Sequence, residues 1–79
     1  MKTIFLVWDD QQQKHLITGA TDGTTVWSVG DGNGLPAELW QKGRELVRLA
    51  LAEDYTLVTR GDRFEHGEFA VVVEGERRR

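Results

Sequence analysis

A chain of 79 residues, 39% hydrophobic and 29% charged, makes a single domain that can bury only about 60–65% of its unfolded surface. It has no cysteine, which excludes disulfide staples, thiolate catalysis and cysteine-zinc sites and suits a reducing, cytoplasmic setting. Net charge is −3, but Arg77, Arg78 and Arg79 close the chain; taking these three from the ten bases leaves seven against thirteen acids, a body of −6 that repels a phosphate backbone. The expected organisation is one globular domain over residues 1–76 and a basic, disordered tail over 77–79.

In chain order, Thr3–Trp8 (TIFLVW) is β-branched and aromatic and stops at Asp9-Asp10, so it predicts a strand. The apolar run is too short for a signal sequence or a membrane span. After DDQQQK, His15–Thr18 predicts a second strand ending at Gly19, and Asp22-Gly23 signals a hairpin. Thr24–Val29 (TTVWSV) is the third strand. Gly30–Leu35 forms a glycine-rich loop, and a helix follows from Pro36 to Glu53. Proline suits the first helical position and Glu38 favours the dipole. At 100° per residue, Leu39, Gly43, Leu46, Val47 and Ala50 share one face, with Trp40 and Leu51 at its edge. Gln41, Arg44, Glu45 and Arg48 point away from it. Tyr55–Arg60 (YTLVTR) is the expected fourth strand, Gly61–Gly67 a turn, and Phe69–Val73 (FAVVV) the fifth strand.

The order β-β-β-α-β-β predicts an α+β fold, a five-stranded antiparallel sheet packed on one helix. The first and fifth strands are apolar on both faces, as central strands are, which gives the spatial order 3-2-1-5-4. One helix covers one face. Ile4, Leu6 and Trp8 point one way and Phe5 and Val7 the other, so a second apolar face is left over. Either the sheet curls around these side chains or the face meets another protein.

The candidate chemistry is sparse. In GDGNGL, Gly30 and Gly32 fit a dinucleotide fingerprint, but its sixth position is Leu35; the P-loop lysine is missing and Asp31 would repel phosphate. Asp31 and Asn33 have the first two calcium-loop spacings, but the twelfth position is Lys42. The loop is therefore expected only to turn the chain. Arg60-Gly61-Asp62 is ordinary turn composition. Asp62, Glu65, His66 and Glu68 offer metal-ligand types without a rigid scaffold, so no metal or cofactor is expected. Ser28 is the single serine and lies mid-strand, outside any nucleophile elbow. No acid and base share a site, so no enzyme is expected.

The expected function is therefore protein binding, through the helix-free sheet face or a homodimer formed through it. Trp8, Trp27, Trp40 and Phe69 are the predicted interface anchors. An acidic body also suits an inhibitor- or antitoxin-like partner for a basic surface. The alternative is a nucleic-acid-binding module that uses Trp8 and Trp27 for stacking and Arg77, Arg78 and Arg79 as a basic handle. No membrane partner is expected.

Overall fold

The computed structural model describes residues 1–29 and 34–77. The glycine loop expected at Gly30, Asp31, Gly32 and Asn33 therefore lies outside the described residues, as do Arg78 and Arg79 of the predicted tail. The elements are β1 (Lys2–Asp9), β2 (Lys14–Thr21), β3 (Val26–Ser28), α1 (Ala37–Ala52), β4 (Arg63–His66) and β5 (Phe69–Arg77). The sheet order is β3-β2-β1-β5-β4, and α1 packs on one face, giving the α+β architecture and strand order expected. Arg77, grouped by its charge with the tail, closes β5 opposite Asp9.

One pairing departs from the expected antiparallel sheet. β1 and β5 run parallel from Lys2–Phe69 to Asp9–Arg77, while the other three pairs are antiparallel, so the sheet is mixed. The reason lies in the direction of the helix. A helix leaving the far end of a full-length third strand would run against β1. β3 is only three residues long, and Val29 lies level with Thr18 in the middle of β2. Glu38, by contrast, sits beside Lys2, where β1 begins, at 3.8 Å. The helix thus starts at that end of the sheet and runs in the same sense as β1. β4 then descends from the opposite end, and β5 returns beside β1 in parallel.

The fourth strand is also misplaced by the sequence. Tyr55–Arg60 has strong β propensity but is a connection. Leu57 sinks into the core at 1% exposure, and the Tyr55 ring meets Phe64 edge-on at 5.4 Å. Asp62 folds this segment on itself, its carboxylate accepting the amides of Val58 and Thr59 at 3.1 and 2.9 Å. The paired strand is Arg63–His66, within the predicted turn. It forms a two-residue hairpin with β5, with Gly67 (φ 63) in the first loop position, where a type II′ turn demands positive φ.

The helix matches its predicted limits closely. Pro36 caps rather than opens it, with φ −54 and ψ 140. At the other end Tyr55 N–H bonds the Ala50 carbonyl and Asp54 N–H the Leu51 carbonyl, a Schellman arrangement with Asp54 (φ 58) in the position usually held by glycine. Leu39, Gly43, Leu46 and Ala50 are buried, as the helical wheel requires. They close over Ile4, Leu6, Val71 and Val73 from the two central strands. Gly43 is the point of closest approach: a methyl there would stand 2.9 Å from Ile17 Cδ1 and 3.1 Å from Ile4 Cγ2. The molecule is 19 Å across its thinnest axis, about one sheet and one helix, each ~10 Å thick. Among the described residues no helix is long and apolar enough to cross a membrane.

Two aspartates hold the hairpins. Asp9, 4% exposed, accepts the amides of Gln11 and Gln12 at 3.0 and 3.1 Å and so fixes the β1–β2 turn. Asp22 accepts the amides of Thr25 and Thr24 at 2.7 and 2.8 Å in the β2–β3 turn, and these bonds hold its carboxyl below the ordinary 3.8.

Gly43→Leu is expected to cost about 1–3 kcal/mol in urea unfolding through overpacking, whereas Gly43→Ala, which meets chiefly the movable end of Ile17, should shift stability by less than about 1 kcal/mol. A folded-state pKa below the unfolded one means that Asp22 supports its turn fully above pH 3.8 and loses that support as the pH falls through its lower native value. The Thr24 and Thr25 amide resonances should therefore titrate together with a midpoint below 3.8, and Asp22→Asn should abolish the titration.

Candidate functional site

Side-chain alternation along β1 and β2 decides what faces the helix. Ile4, Leu6 and Trp8 point toward it, opposite Ala20, Ile17 and His15 on β2. The register skips Thr18 between Phe5 and Leu6, which keeps Ile17 and His15 on the helix side to the end of the hairpin. On the other side of β1 the register skips Glu74 between Leu6 and Val7. The two bulged residues meet across β1, Thr18 Oγ1 donating to Glu74 Oε2 at 2.8 Å.

Helix α1, from Trp40 to Leu51, and the first half of β2 flank a groove of about 770 Å³. Its floor is Leu6 and Ile17. Trp8 and His15 form one wall, their rings 4.9 Å apart and tilted by 59°. Trp40, Val47 and Leu51 form the other wall, one flank of α1 repeating at helical spacing. The groove is held open from beneath: His15 Nε2 donates to the Leu57 carbonyl at 2.6 Å, tying β2 to the segment that follows the helix. Because a carbonyl only accepts, Nε2 carries the proton. Lys14, Arg44 and Arg48 stand at the mouth, and Arg44 lies over the Trp40 ring, 5.9 Å from its centroid. No carboxylate lines the groove among the described residues.

All four predicted anchors fall on the helix side of the sheet, away from the face on which they were expected to act. Trp8 and Trp40 both line the groove, on opposite walls. Trp27, opposite the buried Ala20, packs on the core and lines a smaller hollow of about 190 Å³ with Pro36 and Leu39. Phe69 packs on the core beneath two ammonium groups, Lys2 and Lys42, at 5.4 and 5.3 Å. The helix-free face instead carries half-buried Phe5, Val7, Leu16 and Val72, crossed by the Thr18–Glu74 hydrogen bond. Of the alternative nucleic-acid set, Arg77 contributes described backbone only, at the end of β5.

Sequence reasoning missed His15, Lys14, Arg44 and Arg48 as groove residues. The helical wheel sets Arg44 and Arg48 on the face pointing away from the sheet, although they follow Trp40 at i+4 and i+8 and share its flank. That spacing was the available signal. Among the described residues no three His, Asp or Glu side chains converge as a metal would need. Asp62 is turned into its own loop, and Glu65 pairs with Arg63 at 2.7 Å. Comparisons with protein-family models, curated proteins and solved structures find no match to this chain.

His15→Phe keeps an aromatic ring against Trp8 but strips the Leu57 carbonyl of its donor. It is expected to lower stability by about 1–2 kcal/mol in urea unfolding.

Proposed function

We propose that this chain is a protein-binding module and that an extended segment of its partner docks in the groove between α1 and β2. One juxtaposition carries the reading: Trp8 and Trp40, 32 positions apart in sequence, wall the same apolar concavity. Tryptophans in a pocket that excludes water are the residues that most often dominate binding energy. A volume of about 770 Å³ accommodates several side chains of a ligand. The groove's polar groups support binding more readily than turnover. Its one imidazole donates through Nε2 to the Leu57 carbonyl, and no serine, threonine or carboxylate lines the groove beside it among the described residues to act as nucleophile or acid.

A second reading keeps the expected homodimer, formed through the helix-free face. Phe5 beside Val72 and Val7 beside Leu16 make two apolar pairs on that face, one on each side of the Thr18–Glu74 hydrogen bond, and no further layer covers them among the described residues.

Selection of short random peptides on the folded chain separates the two. Peptides that bind wild type are expected to lose at least about tenfold in affinity on Leu51→Glu, a change at the exposed groove rim, and to tolerate the mild pair Val7→Thr and Val72→Thr. The opposite pattern, or self-association in sedimentation that the threonine pair relieves, would move the contact to the open sheet face.

A further inference from the structure

We infer that the segment entering the groove is acidic and extended, and that it joins the sheet as an added strand along Lys14–Ile17 of β2. This rests on the reading of the groove as a protein-binding site and adds the chemistry and pose of the partner.

Two independent observations lead there. The first is charge. The chain carries 13 acidic and 10 basic residues, yet every charged side chain lining the groove is a cation: Lys14, Arg44 and Arg48. Elsewhere the described lysines and arginines tend to sit beside carboxylates, Lys2 with Glu38, Lys42 with Glu45 and Arg63 with Glu65. The three groove cations make no such pair among the described residues. Guanidinium groups bind carboxylates in a bidentate fork, and two of them one helical turn apart can hold successive acidic side chains.

The second observation is the edge. β3 pairs with β2 only over Gly19–Thr21, and the Val29 amide reaches no further than the Thr18 carbonyl. Lys14–Ile17 therefore has β1 on one side and, among the described residues, no strand on the other. This unpaired stretch, about 13 Å long at ~3.3 Å per residue, forms the rim of the groove. Adding a strand supplies hydrogen bonds from the backbone, and alternate side chains fall to one face. On that face some of the alternate positions hold apolar side chains that seat against Trp40 and Val47, and the others hold carboxylates that meet Arg44 and Arg48.

The test uses the full chain, isotopically labelled, and blocked peptides of roughly eight residues, long enough to span the edge. One peptide carries valine and glutamate in turn at every second position, with threonine between them, and another carries valine and lysine in the same way; two further copies of the glutamate peptide are N-methylated along one edge or the other. The glutamate peptide is expected to bind at least about tenfold more tightly than the lysine peptide, and the gap should narrow as salt screens it. Binding should move the amides of Lys14–Ile17 and the indole resonances of Trp8 and Trp40. Methylation of one edge, and only one, should weaken binding about tenfold or more, and Arg44→Glu with Arg48→Glu should reverse the charge preference. Equal or stronger binding by the lysine peptide, indifference to methylation, or no binding by any peptide at millimolar concentration would overturn the inference. So would an oligothymidine that binds more tightly than the peptides and displaces them. If the random peptides selected above occupy the groove but lack carboxylates, this inference fails and the groove reading stands. Resonance shifts confined to Phe5, Val7 and Val72 would sink both.

Discussion

The fold depends on one contact, the seating of α1 across Ile4 and Ile17 at Gly43. A small domain has one chance to bury its sheet, and here a single helix of 16 residues must do it. The missing side chain at Gly43 lets the helix backbone come down onto β1 and β2, bringing Leu39, Leu46 and Ala50 over the central strands. Its cost is a glycine in mid-helix, about 1 kcal/mol against alanine. The same contact makes the groove. A helix held close at one point and crossing a twisted sheet must stand away from it elsewhere, and at its far end Leu51 remains 58% exposed above β2. Core and candidate site are thus two consequences of one approach.

Much of the fold was legible because it is written in local chemistry. β1 and β5 could be placed at the centre because TIFLVW and FAVVV are apolar on both faces, the pattern expected of the central strands of a sheet. The helix limits followed from Pro36 and from the end of the apolar stripe. The parallel central pair was not legible, because it depends on where the chain stands when the helix begins, and that follows from the brevity of β3. TTVWSV has strand propensity throughout, yet only Val26–Ser28 pairs. The fourth strand failed for a related reason. YTLVTR outranks RFEH in propensity, but Gly67 sets a two-residue hairpin that pairs RFEH with β5, and Leu57 is worth more in the core than in a ladder.

The candidate site was half legible. Two of the large aromatics the sequence points to, Trp8 and Trp40, line the groove, but alternation says only that two side chains share a face, and it does not say which face the helix takes. Once the helix covers Ile4 and Leu6, Trp8 goes with them, and so do its cross-strand neighbour His15 and the Trp40 flank of α1. The cations were hidden for another reason. A wheel drawn about Cα positions places Arg44 and Arg48 outside the apolar stripe, but both line the groove, and the Arg44 side chain reaches back one turn to lay its guanidinium over the Trp40 ring.

Charge also bears on the two partner classes that a groove with tryptophans and arginines could serve. At physiological ionic strength the Debye length is ~8 Å, so a short segment in the groove feels mainly Lys14, Arg44 and Arg48. A nucleic acid is longer than the groove, and its phosphates would continue past the three cations onto a body rich in carboxylates, Asp9-Asp10 and Glu53-Asp54 at the same end of the molecule among them. Its affinity comes from releasing many counterions at once, and three contacts release few. The proposed acidic strand would need no such extended track, because backbone hydrogen bonds along Lys14–Ile17 and apolar burial against Trp40 would contribute the remainder. A local cationic site on an acidic surface therefore favours a short, acidic polypeptide segment over a polyanion that must travel beyond it.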